Sequence, residues 1–123
     1  MSVATTLRKL FTKPYGKVTA AEAAARVDDG AMLLDVREPD EWQAGHAPRA
    51  RHIPLGQLPQ RARELPANKP IVAVCRSGNR SACAAAILAD AGRDASNLAG
   101  GMRAWARAGL PVVAKGGGPG RVA

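Results

Sequence analysis

Ile71-Val72-Ala73-Val74-Cys75-Arg76-Ser77-Gly78-Asn79-Arg80 is the stretch that decides the fold. Its first four residues are wholly apolar and three are β-branched. Such a run reads as a strand covered on both faces, as in the middle of a parallel sheet. The next six carry a thiol, two arginines and Gly78, and lead into Ser81–Ala91. There Ala84, Ile87, Leu88 and Ala91 fall at i, i+3, i+4 and i+7, and Gly92 supplies a stop. The spacing predicts strand, tight loop, helix. Open α/β sheets gather their reactive groups beyond the carboxyl ends of the strands, which is where Cys75 stands.

Working outward, Ala31–Val36 is a second short, nearly apolar run, and Arg51–Pro54 and Ala95–Leu98 are briefer strand candidates. Thr19-Ala20-Ala21-Glu22 is a capping box that opens a helix running to about Asp28. Further helical pieces are expected at Glu41–Ala44, at Gln57–Glu64 before Pro66, and at Met102–Ala108 before Gly109 and Pro111. Strands alternating with helices imply a mostly parallel sheet covered on both faces.

The chain divides into a basic lead-in (1–18), a domain proper (19–113) and a flexible Gly-rich tail (114–123) with too little to bury. In the lead-in, Leu7, Leu10 and Phe11 form a short apolar stripe beside Arg8 and Lys9. It is read as packing back on its own domain, in preference to lying on a membrane surface.

At 123 residues the chain fits one domain, and with 46% hydrophobic but only 3% aromatic residues its core must come from Ala, Val, Leu and Ile. The formal charge of +8 attracts anions, but much of the excess lies in Arg8, Lys9, Lys13, Lys17, Lys115 and Arg121, outside the central stretch. It speaks to solubility and steering more than to chemistry. Arg49, Arg51, Arg61 and Arg63 lack interleaved aromatics, so no nucleic-acid partner is expected. Two cysteines make no disulfide framework, Arg8 and Lys9 interrupt any leader-like apolar stretch, and no run is long enough for a membrane span. A cytoplasmic protein is the expectation. His46 and His52 stand without a cysteine or carboxylate cluster, so neither metal nor cofactor is expected.

The chemistry is concentrated in the loop. Gly78 and Asn79 tolerate unusual backbone angles, so the loop can curl until several N–H groups point inward. Such a nest binds an anion, and here that anion is the thiolate of Cys75 itself. Arg76 and Arg80 add permanent charge, and positive surroundings lower a cysteine pKa from about 8.5 to between roughly 3.5 and 7.5. Strand end, glycine, two arginines and helix start together set aside the reading of Cys75 as an ordinary buried cysteine. Cys83, one turn from Ile87, is read as a core residue in preference to a resolving thiol. Asp35 and Arg37 are expected to anchor neighbouring loops by ion pairing, and Trp42 and Trp105 to pack the core or loops.

Cys75-Arg76-Ser77-Gly78-Asn79-Arg80-Ser81 resembles the active-site loop of the rhodanese family. Two flanking stretches resemble that family's other signatures, in the same order and spacing. One is Leu34-Asp35-Val36-Arg37-Glu38-Pro39-Asp40-Glu41-Trp42, running on through Gly45-His46-Ala47-Pro48 to His52-Ile53-Pro54-Leu55. The other is Leu98-Ala99-Gly100-Gly101-Met102-Arg103-Ala104-Trp105, ending at Ala108-Gly109-Leu110-Pro111-Val112. The resemblance implies an α/β, rhodanese-like fold: a central five-stranded parallel sheet flanked by helices on both faces. It implies a sulfurtransferase in which Cys75 is catalytic and cycles through a persulfide. Arg76, Ser77, Gly78, Asn79 and Arg80 would bind the substrate, with backbone N–H groups cradling the persulfide and the two arginines holding an anionic sulfur donor such as thiosulfate. The acceptor would be cyanide, a thiol or a protein.

Ala47 and Arg49 depart from the Ile and Gly the family often has there, in a surface connection that concerns partner contacts more than chemistry. Two alternatives differ in class. Related Cys-based phosphatases and arsenate reductases place five residues between Cys and Arg, where this chain places four, a cradle better suited to one terminal sulfur. A sulfur-relay or adapter module would act mainly through a protein partner.

Overall fold

The computed structural model describes residues 14–123. Five strands form one sheet in the order β1-β5-β4-β2-β3, every neighbouring pair parallel: β1 (Gly16–Val18), β2 (Met32–Asp35), β3 (Arg51–His52), β4 (Ile71–Val74) and β5 (Ala95–Leu98). The four-residue apolar run ending at Val74 is the middle strand, as its pattern predicts. Its register sets Leu34 beside Ala73 and Asp35 beside Val74 on one side, and Asn97 beside Ala73 on the other.

The period of two along β4 divides the core. Ile71, Ala73 and Cys75 face one layer with Leu34, Ile53, Leu58 and Leu88. Val72 and Val74 face the other with Leu33, Leu98, Met102 and Trp105. The first layer is closed by α4 (Asn79–Asp90) and the second by α1 (Ala20–Asp28) and α5 (Gly101–Arg107). Small alanines on the helices let them sit close on the sheet: Ala23, Ala84 and Ala85 are fully buried. The connections are built from α2 (Pro39–Ala44), a 3₁₀ turn at Leu55–Gln57, α3 (Leu58–Arg61) and a second 3₁₀ turn at Ala62–Glu64. The capping box forms as expected: Glu22 N–H donates to Thr19 Oγ1 at 3.1 Å and Thr19 N–H to Glu22 Oε1 at 2.9 Å.

Three expectations need correction. Residues 16–18, placed in the basic lead-in, form the edge strand β1 against β5. Two of its three residues are exposed, so it carries no apolar signature and is held by backbone pairing. The rest of the lead-in, with its Leu7, Leu10 and Phe11 stripe, lies outside the described residues apart from Pro14 and Tyr15.

Residues 114–123 are not a free tail. Lys115 N–H donates to Gln43 O and Arg121 N–H to Ala44 O, tying the segment to the end of α2, and Gly120 N–H donates to Val112 O. Its glycines serve the reversal at 114–118, where Ala114 N–H donates to Gly118 O. Finally, the buried face of α4 is Ser81, Ala84, Ala85, Leu88 and Ala89, so Cys83 is exposed and is no core residue.

Candidate active site

Cys75 follows the middle strand directly and is 1% exposed. The chain then turns through Gly78, at φ +116°, into α4. That left-handed angle suits glycine, and it aims the Gly78 N–H back at Cys75 Sγ, 3.1 Å away. On the next turn Ser81 is fully buried, with Oγ 3.3 Å from the same sulfur. Burial is the largest single influence on the thiol and opposes its ionisation. The Ser81 hydroxyl and the N–H groups of Ser81, Gly78 and Ser77 act the other way, and together they hold the thiol below its ordinary value. The arrangement stabilises a thiolate on a buried sulfur.

The start of α5 orients the first two peptides of the loop. Met102 N–H donates to Cys75 O at 2.7 Å and Arg103 N–H to Arg76 O at 3.1 Å. In a trans peptide the C=O and N–H point opposite ways. Drawing those two carbonyls toward α5 therefore turns the N–H groups of Arg76 and Ser77 away from it. Gly101 makes this approach possible, since a side chain there would collide with Cys75 O and with Arg76 C and O.

The two loop arginines stand in different surroundings. Arg80 does not stand free for a donor. Its Nη1 and Nη2 donate to Glu41 Oε1 and Oε2 at 2.7 and 2.9 Å, clamping α4 to α2. The pair holds the Glu41 carboxyl down to about 2, chiefly through the hydrogen bond from Arg80. Arg76 is exposed and forms no ion pair among the described residues. Ser77 and Asn79 are exposed at the rim of the loop.

The Asp35–Arg37 expectation holds. Both are fully buried, Arg37 Nε and Nη2 donate to the two Asp35 oxygens, and Nη2 also reaches Gly45 O at 2.7 Å. Trp42, on α2, stacks against His46 and His52 at centroid distances of 3.6 and 4.8 Å. Trp105 is buried in the core and donates to Pro111 O. Sequence reasoning missed Glu41, Ser81 and Asn97. Asn97 donates to Gly78 O at 3.1 Å and accepts from Ser81 Oγ at 2.6 Å. A cavity of about 240 Å³ between α1, β2 and α5, lined by Val27, Leu33, Trp105 and Leu110, contains no residue of the Cys75 loop.

The family model for the rhodanese-like domain matches residues 19–108. The chain belongs to the rhodanese-like domain family. This rhodanese-like domain is 43% identical to a sulfurtransferase of Allochromatium vinosum over 88 residues, 70% of this chain and 81% of that protein. It is 40% identical over 113 residues to an HTH-type transcriptional regulator of Mycobacterium tuberculosis, covering 89% of this chain. There the chain spans only half of the relative's length. A rhodanese-related protein of Thermoplasma volcanium superposes on the rhodanese-like domain with a TM-score of 0.76. It has 32% identity and covers 80% of this chain and 98% of its own. No helix of the described residues is long and apolar enough to cross a membrane, and no described group of three His, Cys, Asp or Glu could hold a metal ion.

Proposed function

We propose that this protein is a sulfurtransferase that moves a sulfane sulfur from an anionic donor such as thiosulfate to a thiophilic acceptor through a persulfide on Cys75. The observation that carries the reading is the recessed Cys75 sulfur with inward donors from Gly78 and Ser81 around it. The Cys75 thiolate attacks the outer sulfur of thiosulfate. A Cys75 S–S bond forms, the donor's S–S bond breaks, and sulfite leaves with the electron pair. Cyanide or a thiolate then attacks the terminal sulfur, and the Cys75 thiolate departs with its electrons. The first step carries negative charge from Cys75 Sγ to the terminal sulfur one bond further out and the second returns it to Sγ, so donors fixed on Sγ favour the thiolate that opens and closes the cycle.

Arg76 is the loop cation left to meet the donor, with Ser77, Gly78 and Asn79 offering backbone. Arg80 contributes through its position and its charge at a distance, since Glu41 occupies its guanidinium. The same clamp counts against phosphatase or arsenate chemistry, which would want that guanidinium for an oxyanion. The name of the Allochromatium relative supports the sulfur reading.

The test is mass spectrometry after incubation with thiosulfate in the absence of reductant. One added sulfur is expected on the Cys75 peptide, unchanged in Cys83→Ser and absent in Cys75→Ser. Normal loading of Cys75→Ser, or aryl phosphatase activity without any sulfur transfer, would overturn the proposal.

A further inference from the structure

Ser81 carries one hydroxyl proton and faces two acceptors. Asn97 Oδ1 is 2.6 Å from Ser81 Oγ and Cys75 Sγ is 3.3 Å from it. The orientation of the Asn97 amide follows from its other partner: Gly78 O can only accept, so Nδ2 points there and Oδ1 faces Ser81. Both Asn97 and Ser81 are buried, at 7% and 0% exposure, so water does not take either role. The shorter distance gives the proton to Asn97 while the sulfur is uncharged, which leaves a Ser81 lone pair to accept from the Cys75 thiol. A thiolate reverses this order. A charged acceptor makes the stronger hydrogen bond, so the hydroxyl has reason to turn from Oδ1 to Sγ.

We propose that Asn97 is a positioning residue for Cys75, holding the Ser81 hydroxyl proton whenever the sulfur is uncharged and releasing it to Sγ when the thiolate forms. No proton changes owner in this motion; one O–H rotates between two acceptors. On the sulfurtransferase reading, on which this inference rests for its role in turnover, the hydroxyl faces Asn97 in the persulfide and Sγ in the free thiolate. It therefore reorients once in each half-reaction. Asn97 thereby disfavours the thiolate by competing for its donor, and keeps the sulfur a better nucleophile than an unopposed nest would leave it. The loop itself does not hang on Asn97 alone, because Gly78 O also accepts from Ala82 N–H at 3.1 Å.

The variant is Asn97→Leu, close in shape and without acceptor or donor, with Asn97→Val as a second strand-compatible replacement. The charged groups around the site stay as they are: Arg76 in the loop, Arg80 with its Glu41 partner from α2, Asp35 with Arg37 at the end of β2, and Arg103 on α5. The readout is the pH profile of Cys75 alkylation by iodoacetamide in Cys83→Ser protein, a reaction that needs no sulfur donor.

Freed of its competitor, Ser81 should donate to the thiolate at all times. The profile should move to lower pH, with alkylation on its acid side faster by roughly three- to tenfold. In a Ser81→Ala background the Asn97 replacement should have no further effect. A profile that stays put or moves to higher pH in folded Asn97→Leu and Asn97→Val overturns the proposal. A shift that survives in Ser81→Ala overturns it equally. Failure of thiosulfate loading with the alkylation result intact would instead remove the sulfurtransferase reading and leave the Ser81–Asn97 relation standing.

Discussion

Replacing Gly101 by alanine should detach the loop from the helix that shapes it. Gly101 sits at φ +59°, a left-handed angle that costs an alanine about 1–2 kcal/mol. Its added Cβ would fall on Cys75 O and within 2.5 Å of Arg76 C and O, which are backbone atoms that cannot swing aside. The start of α5 must then withdraw, and the hydrogen bonds from Met102 and Arg103 to those carbonyls lengthen or break. Two such bonds at about 1 kcal/mol each bring the total to about 3–4 kcal/mol, a large share of a typical domain's 5–15 kcal/mol.

Gly109→Ala is the matched control. It too is left-handed, at φ +77°, but nothing lies within 4 Å of its Cβ, so it should cost only the backbone penalty of about 1–2 kcal/mol. Urea unfolding of both variants measures the difference. The alkylation profile of Cys75 in folded Gly101→Ala should move to higher pH, as its inward N–H groups lose their alignment. Equal destabilisation by the two replacements, with an unchanged profile, would refute the claim that α5 sets the geometry of the loop.

Glu41→Gln should destabilise the protein by about 1 kcal/mol at pH 7, because Arg80 is 37% exposed and solvent screens the pair. Glu41 is held at about 2, below its ordinary 4.5, so its contribution is complete above that ordinary value and fades as pH falls toward 2. Thermal unfolding of wild type and variant should therefore converge across that window, and a constant gap would argue against the pair. Arg37→Met should cost more, about 3–5 kcal/mol, since it leaves Asp35 buried without its partner. Asp35→Asn together with Arg37→Met should recover part of the loss in urea unfolding, and a strictly additive pair would contradict a direct coupling.

Much of this architecture is legible in the chain because its centre is simple. β2 and β4 are buried on both faces and announce themselves as apolar runs, and the Thr19–Glu22 box marks a helix start by local chemistry alone. β1 has no such mark, being three residues at an edge with only Val18 buried. Arg80 is correctly placed at the loop's end by spacing, but what it grips is 39 residues away, and spacing does not reveal a partner at that range. Asn97 sits inside a strand whose two polar residues carry no motif of their own, so its bonds to Gly78 and Ser81 emerge only once β5 lies beside β4. The glycines at 116–118 look like flexible chain by composition, whereas the fold uses them to reverse direction against α2. The face of α4 was open to a better reading: positions 81, 84, 85 and 88 share one side, which leaves 83 off it.

That rotation of α4 bears on how long a sulfur would stay on Cys75. Two residues advance a helix by about 200°, so with Ser81 turned to the Cys75 sulfur, Cys83 looks to the opposite side, into solvent. Only two cysteines exist in the chain, and the fold keeps the second out of the first one's reach. A loaded Cys75 then has no internal route to discharge as a disulfide. On the proposed chemistry the residence time of the cargo is set by encounters with an outside nucleophile. On that chemistry the domain would be a store with a single exit, emptied at a rate that its surroundings decide.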